Sequence, residues 1–333
     1  MSATKPNGAA VGLTVICVTY QSRGDVVDCL RSAVDSADGA GVATELIVVD
    51  NASTDGAADV AAAAFPAATV MRNAENRGFG AANNQAFAMA RGEWWLLLNP
   101  DARLDDGTVA ALHAAITANA RLAAVGPSIS GAGIGGAESA GMLPGLRSLA
   151  SHFLFLNRLI PDDRGGAWRG WMLRPSTRTA TRSVEWISGA VALLRPAAIR
   201  EIGGFDESIF LYGEDTDLCA RLLERGWSVG LAPSARAHHA IGGSQAPGGT
   251  RWVDGIEDFL ARRGRSRVSR SVGLLCMAIG LGVRGLPRGR VAAARQARDS
   301  LRMRKAARRA LVLSASVLLA RPGPSGDQRS RYE

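Results

Sequence analysis

The chain of 333 residues has no apolar stretch of the ~18–20 residues needed to span a bilayer. Its start, MSATKPNGAAVG, is polar and lacks the apolar segment of a secretory signal. Cysteines are few: Cys17, Cys29, Cys219 and Cys276 form no CxxC pair, which argues against a disulfide framework or a zinc ribbon and fits a reduced, cytoplasmic chain. Aromatic residues make up 5%, and between residue 261 and Tyr332 there are none, so the C-terminal part offers no platform for stacking nucleic-acid bases. What remains, 47% hydrophobic and 21% charged, is the composition of a globular protein with one large or two modest domains.

The net charge of +9 is unevenly placed. Residues 261–333 hold 18 of the 39 basic residues and 3 of the 30 acidic ones, a net +15, which leaves residues 1–260 at −6. A basic tail on a mildly acidic body points to an anionic partner for the tail alone. Two apolar segments in it, Ser271–Val283 and Ala310–Ala320, sit among arginines. This pattern suits helices lying on an anionic membrane surface, with a basic helix pair packed on the body as the plainer alternative.

In the first 130 residues, short apolar runs alternate with helical patterns. Leu13–Tyr20, Glu45–Asp50 and Trp94–Leu98 read as buried strands, with Ala68–Met71 and Leu122–Val125 as weaker ones. Helices are expected over about 24–37, 56–64, 79–91 and 105–119, with Asp55, Asp105 and Asp106 as caps. This alternation predicts an α/β fold with a mostly parallel central sheet and helices on both faces. Residues 128–182, rich in Gly, Ser, Pro and Arg, read as a long excursion with one apolar patch at His152–Ile160. Regular pattern returns at Ser183–Leu194, followed by a short helix from Pro196, a helix over Glu214–Arg225, and strands at Trp227–Leu231 and Ala235–Ile241.

Gly131–Gly136 (GAGIGG) spells G-x-G-x-x-G, but the following AESAGMLPGL cannot start the helix that would hold a dinucleotide's pyrophosphate. The chemistry is expected instead at four clusters near strand ends, where open α/β sheets bind ligands. The first groups Thr19 and Tyr20 with Asp50-Asn51-Ala52-Ser53-Thr54-Asp55-Gly56; the Asp50 carboxylate either accepts from a nucleoside or, with Ser53, forms an Asx turn that caps the next helix. Asn76-Arg77-Gly78-Phe79-Gly80, with Asn83 and Asn84, combines close backbone approach with a helix N-terminus, a setting for anions or simply a glycine-rich helix start. Asn99-Pro100-Asp101 closes a buried strand with a carboxylate suited to a hard cation, or else is a surface proline turn. In Gly213-Glu214-Asp215-Thr216-Asp217, Asp215 lies at i with Leu218, Cys219 and Leu222 at i+3, i+4 and i+7, so it heads the buried helix face and can act as a general base. His238 and His239 end a strand and are metal or phosphate candidates.

VTYQS (18–22), VVDNASTDG (48–56), NRGFGAANN (76–84), LLLNPDA (96–102), ISGAVALLRPAAIREIGGFDE (187–207), FLYGEDTDLCARLLERGW (210–227) and PSARAHHAIGGS (233–244) together resemble family 2 glycosyltransferases of the GT-A fold, in the bacterial rhamnosyltransferase-like branch. The match runs in order over about 12–244. It implies a GT-A domain over 1–260, with a nucleotide-binding half at about 12–127 and an acceptor half at about 183–245, followed by the basic tail, 261–333. It further implies an inverting transfer from a nucleotide-diphosphate sugar, a divalent cation (Mg2+ or Mn2+), and a polyprenyl-diphosphate-linked or glycan acceptor met at the inner face of the plasma membrane, without nucleic acid. The branch suggests L-rhamnose from dTDP-rhamnose, with a UDP-hexose as the alternative and a nucleotidyltransferase on a similar body as the rival class. Carried over by position, Thr19, Tyr20, Asp50, Asn51 and Ser53 hold the nucleoside. Asn76, Arg77, Gly78, Asn83, Asn84 and Asn99 flank the diphosphate and sugar. Asp101 matches the last acid of the DxD metal motif and His239, with His238 as its rival, the histidine that supports it. Asp215 matches the catalytic base, and Trp186, Gly189, Ala190 and Glu214 lie on the acceptor side, Trp186 either stacking on a sugar or packing in the core. Asn99 departs from the motif by replacing its first acid, which weakens the expected metal affinity of the free protein.

Overall fold

A computed structural model describes residues 12–130, 138–159, 168–174, 179–239, 250–285 and 293–319. The GAGIGG stretch at 131–136 lies outside these, as do residues 240 and 241 of the last expected strand and 320 of the second apolar tail segment.

The elements in chain order are β1 (Leu13–Thr19), α1 (Val26–Asp38), β2 (Thr44–Asp50), α2 (Ala57–Ala64), β3 (Thr69–Arg72), α3 (Phe79–Phe87), β4 (Trp94–Leu98), β5 (Ala102–Leu104), α4 (Thr108–Thr117), β6 (Leu122–Ser130), β7 (Ala140–Gly141), α5 (Leu146–Phe153), β8 (Arg182–Val184), β9 (Trp186–Ile187), β10 (Val191–Leu194), α6 (Pro196–Glu201), α7 (Glu214–Glu224), β11 (Ser228–His239), α8 (Arg251–Arg262), α9 (Arg267–Arg284) and α10 (Ala293–Leu319). The main sheet runs β3-β2-β1-β4-β10-β6-β11-β5, with β8 also on β11. Strands β3, β2, β1 and β4 are mutually parallel, as are β6 and β11, while β10 runs antiparallel between β4 and β6. The fold is therefore α/β around a largely parallel sheet, with helices against both faces.

Side chains alternate across the strands, so each buried strand feeds two core layers. Ile16, Val18, Trp95 and Leu97 pack in one layer; Val15, Cys17, Trp94, Leu96 and Leu98 pack in the other. This is why β1 and β4 read as continuous apolar runs. α1 meets the second layer through Val26, Cys29, Leu30, Ala33 and Ala37, the i, i+3, i+4, i+7 and i+11 positions of one face.

Several boundaries differ from expectation for local reasons. The helix expected over 105–119 starts at Thr108, because Gly107 adopts φ +74° ahead of it; Asp105 offers its backbone carbonyl to Thr108 N–H, and neither Asp105 nor Asp106 caps through its side chain. Asp55 does: its Oδ1 accepts from Ala57 N–H at 3.0 Å. The helix expected over 79–91 ends at Phe87. The stretch 183–194 divides into β8, β9 and β10, and the two strands expected after 227 join into β11, whose pairing with β6 shifts register between Ala232 and Arg236. Within 128–182, β7 and β9 form a small antiparallel sheet and α5 packs beneath α9. Leu274, Met277 and Leu281 of α9 are fully buried in the same core layer as the sheet, so the basic tail is fastened into the body.

Candidate active site

At the open end of β1 and β2, the register pairs Thr19 with Asp50. Thr19 Oγ1 and Asp50 Oδ1 are both buried without a hydrogen-bond partner, while Asp50 Oδ2 accepts from Ser53 N–H at 3.3 Å. Buried polar atoms are nearly always paired, so two orphans on neighbouring strands mark a place where a ligand's polar edge would be welcome. Ser53 Oγ accepts from Gln21 N–H, and Tyr20 stands 40% exposed at the rim.

The asparagines behind this rim are engaged within the protein. Asn51 Nδ2 donates to Asn76 Oδ1 (2.9 Å) and to the Gly78 carbonyl (3.1 Å), and Asn51 Oδ1 accepts from Asn73 Nδ2 and Arg77 N–H. Asn83 Nδ2 donates to the Phe79 carbonyl one turn back. Asn84 clamps the 205–207 turn, donating to the Phe205 carbonyl and Glu207 while accepting from Phe205 N–H. These four amides, expected beside the donor, fix the loop that carries Arg77 and Gly78. Gly78 has φ +84°, and a Cβ there would lie 2.4 Å from the Phe210 carbonyl oxygen, so only glycine lets this loop close on the later half of the chain. Arg77 pairs with Glu207 at 3.5 Å, with both side chains partly exposed.

At the end of β4, Asn99 N–H donates to the Ala190 carbonyl at 2.8 Å, and Asn99 Nδ2 lies 3.5 Å from His239 Nε2. His239 Nε2 is 2.9 Å from Asp101 Oδ1, with side-chain exposures of 16% and 6%. The antiparallel pairing of β5 with β11 sets this contact by placing His239 opposite Ala102. His238, on the alternate face, pairs instead with Asp105 at 3.0 Å and contacts Ser130. Of the two adjacent histidines, His239 is the one beside Asp101. Cys29, not anticipated, donates its thiol to the Asn99 carbonyl from beneath.

On the other side, α7 begins after Gly213 and presents Asp215. Asp215 Oδ2 accepts from Gly189 N–H at 3.0 Å, and Oδ1 accepts from Thr216 N–H (2.6 Å) and Thr216 Oγ1 (3.2 Å). Gly189 precedes Ala190, whose carbonyl holds Asn99. A continuous path therefore runs from Asp215 through the 189–190 turn to Asn99, His239 and Asp101. The strand reversal at β10 makes this possible, because it brings the 189–190 turn against the end of β4.

Burial pushes the Asp215 carboxyl up, opposed by the Gly189 and Thr216 hydrogen bonds. Glu214 is buried with Oε2 unpartnered, and desolvation followed by the neighbouring Asp215 charge pushes it up to about 8. Asp217 is held by Arg221 (2.7 Å) and Arg263 (3.0 Å) and belongs to the scaffold. Beside Asp215 opens a cleft walled by Trp171, Trp186, Tyr212, Trp252 and Phe259. Trp186 is 5% exposed; it stacks on Trp171 at 5.7 Å and donates Nε1–H to the Trp171 carbonyl, so it is a core residue that also lines the cleft. Trp171, Trp252 and Phe259 went unremarked in the sequence because they come from the irregular excursion and from α8, which carry none of the recognisable motifs.

The Asp101 carboxylate suits a hard divalent cation and the His239 imidazole beside it adds one nitrogen donor, which would leave the remaining positions to phosphate oxygens and water. Among the described residues no cluster of three or more His, Cys, Asp or Glu could hold a metal ion by itself.

Residues 14–164 match the family described as Glycosyl transferase family 2, and residues 155–292 match Glycosyl transferase family group 2. Over 238 residues, 68% of this chain and 75% of the relative, the sequence is 32% identical to N-acetylglucosaminyl-diphospho-decaprenol L-rhamnosyltransferase of Mycobacterium tuberculosis. The chain belongs to glycosyltransferase family 2. A shorter match, 38% identical over 56 residues (17% of this chain, 21% of the relative), is to Rhamnosyltransferase WbbL of Escherichia coli. Among solved structures, GalNAc-T7, crystallised with UDP, GalNAc and Mn2+, aligns with a TM-score of 0.54 at 13% identity, covering 75% of this chain and 47% of that one. The fold is accordingly GT-A, and this family 2 member is a glycosyltransferase.

Proposed function

We propose that this glycosyltransferase moves L-rhamnose from dTDP-L-rhamnose to a polyprenyl-diphosphate-linked sugar, with inversion at the anomeric carbon, at an anionic membrane surface to which its basic tail holds it. The reading is carried by the hydrogen-bonded path that joins Asp215 to Asn99, His239 and Asp101. The path links the residue read as proton acceptor to the pair read as cation-binding through a single backbone turn, 189–190, which supports their acting on one substrate. The likeness to the mycobacterial rhamnosyltransferase supports the sugar and the lipid-linked acceptor.

In this reading the nucleoside lies against Thr19, Tyr20, Asp50 and Ser53, and Arg77 turns from Glu207 toward the diphosphate. Asp101 and His239 would hold a divalent cation, which when bound neutralises charge on the leaving diphosphate. Gly189 N–H and Thr216 aim Asp215 and oppose the effect of its burial; its carboxylate takes the proton of the acceptor hydroxyl as that oxygen attacks from the face opposite the leaving group. The aromatic cleft receives the acceptor sugar, with Trp186 on its wall beside Asp215; Gly189, Ala190 and Glu214 do not line it, and Gly189 adjoins it only through its hydrogen bond to Asp215.

The test is a transfer assay with polyprenyl-diphosphate-linked N-acetylglucosamine and a panel of donors in the presence of Mg2+, read by mass spectrometry. The expected product gains one rhamnose, and its new linkage has the anomeric configuration opposite to that of the donor. Transfer from a UDP-hexose with none from dTDP-rhamnose would overturn the donor; retention of configuration would overturn the mechanism.

A further inference from the structure

α9 fits into the protein along one side and is bare along the other. Inward, Gly280 lies so close to α5 that a Cβ there would sit 2.1 Å from the Phe153 carbonyl oxygen, and Ser271 exchanges hydrogen bonds with Ser314 of α10 at 2.9 and 3.0 Å. Outward, Val268, Val272, Leu275, Ile279 and Val283 are 63, 40, 41, 50 and 42% exposed. Their spacing of four, three, four and four residues places them on one helix face, a stripe about 22 Å long at 1.5 Å per residue. α10, side by side with α9, leaves Leu311, Val312, Leu318 and Leu319 exposed as well. Soluble monomers rarely leave contiguous aliphatic surface of this kind uncovered.

The charges around the stripe select what covers it. Part of the tail's basic charge is engaged within the protein: Arg270 pairs with Glu257, Arg309 with Asp254, and Arg284 donates to the His152 carbonyl. Arg304, Lys305 and Arg308 are exposed on α10, immediately before its exposed aliphatic residues. A second copy of this chain would bring an equally basic tail against this one, an unfavourable pairing of like charges. An anionic lipid surface meets both features, with headgroups for the cations and an acyl boundary for the stripe.

We infer that the Val268–Val283 stripe, with the exposed end of α10, inserts into the headgroup–acyl boundary of an anionic bilayer, and that aliphatic insertion supplies more of the affinity than basic charge. This deepens the membrane reading given above and is independent of the sugar transferred.

The experiment is co-sedimentation of the full chain with phosphatidylcholine vesicles with and without phosphatidylglycerol. Salt is raised from ~0.1 to ~1 M, which shortens the screening length from about 10 to 3 Å. The expected result is binding to the phosphatidylglycerol vesicles that largely survives high salt. The double variant Leu275→Ser/Ile279→Ser, at two outward positions, should partition at least ~10-fold more weakly, because two aliphatic side chains lose their burial. Its thermal midpoint and donor hydrolysis without acceptor should match the parent, so a misfolded variant or a failed catalytic reading is recognised separately. Arg304→Gln/Lys305→Gln/Arg308→Gln should weaken binding mainly at low salt. The inference is overturned if high salt strips the parent protein from vesicles, or if the serine variant binds as the parent does. It is equally overturned if the parent ignores vesicles and forms dimers that the serine variant does not.

Discussion

Asp215 and Glu214 are adjacent buried carboxyls that differ in hydrogen bonding. Asp215 accepts from two backbone N–H groups and a hydroxyl, whereas Glu214 has an unpartnered Oε2. Donors stabilise a carboxylate, and burial without them stabilises the acid. Burial therefore raises both carboxyls, and at Asp215 the Gly189 and Thr216 donors oppose that rise. Asp215→Asn should keep the fold and donor affinity yet lower kcat by at least ~10²-fold, the usual size of a lost general base. Because burial raises the Asp215 carboxyl, the acid limb of the kcat–pH profile should lie above the ~4 of an ordinary carboxyl. Glu214 makes a separate stability prediction. Unfolded it ionises near its ordinary value of 4.5, folded only near 8, so stability is lost as pH rises between the two. Glu214→Gln removes that loss, and its unfolding free energy relative to the parent, read by denaturant titration, should climb from pH 6 to 8, by an amount on the order of 2 kcal/mol at most. A pH-independent difference would show that Glu214 ionises as readily in the folded protein as in the unfolded chain.

At the scale of elements, the site depends on how short pieces of chain meet. β5 has three residues, with no sequence pattern of its own, yet its pairing with β11 brings His239 to Asp101 and sends His238 to Asp105. By residue type alone the two histidines could not be separated, and only the family resemblance favoured His239, because strand register is what tells alternate faces apart. The carboxylates were readable for the opposite reason: Asp50 and Asp101 follow unmistakable apolar strands, and Asp215 heads a clear helical stripe. Asn51, Asn76, Asn83 and Asn84 were not legible in the same way, because an amide both donates and accepts and its type does not reveal whether its partner is ligand or backbone. Asp101→Ala should abolish magnesium-dependent donor binding in titration calorimetry, and His239→Ala should weaken it. His238→Ala should leave it unchanged, since His238 faces away.

Across the whole molecule, the charge boundary near residue 261 does not coincide with a structural one. α8 spans it, and α9 supplies buried side chains to the main core. The composition exposed the change in charge but not the contacts, since Leu274, Met277 and Leu281 look no different from the aliphatic residues on the bare face until α5 is placed beneath them. Gly280→Ala should therefore destabilise the entire chain. A methyl cannot fit against the Phe153 carbonyl without backbone movement, and a cost of about 1–3 kcal/mol should appear as a lowered thermal midpoint. Gly282→Ala, with open space at its Cβ, should be neutral or slightly stabilising in the same measurement.

Trp252, Gly255, Ile256 and Phe259 of α8 form one wall of the cleft beside Asp215, and four residues after α8 ends the chain enters α9. The proposed anchor and the proposed reaction centre are thus two ends of a single short lever. On the proposed seating of α9, the cleft would stand at a set height over the lipid, and the search for a lipid-borne acceptor would shrink from a volume to a plane.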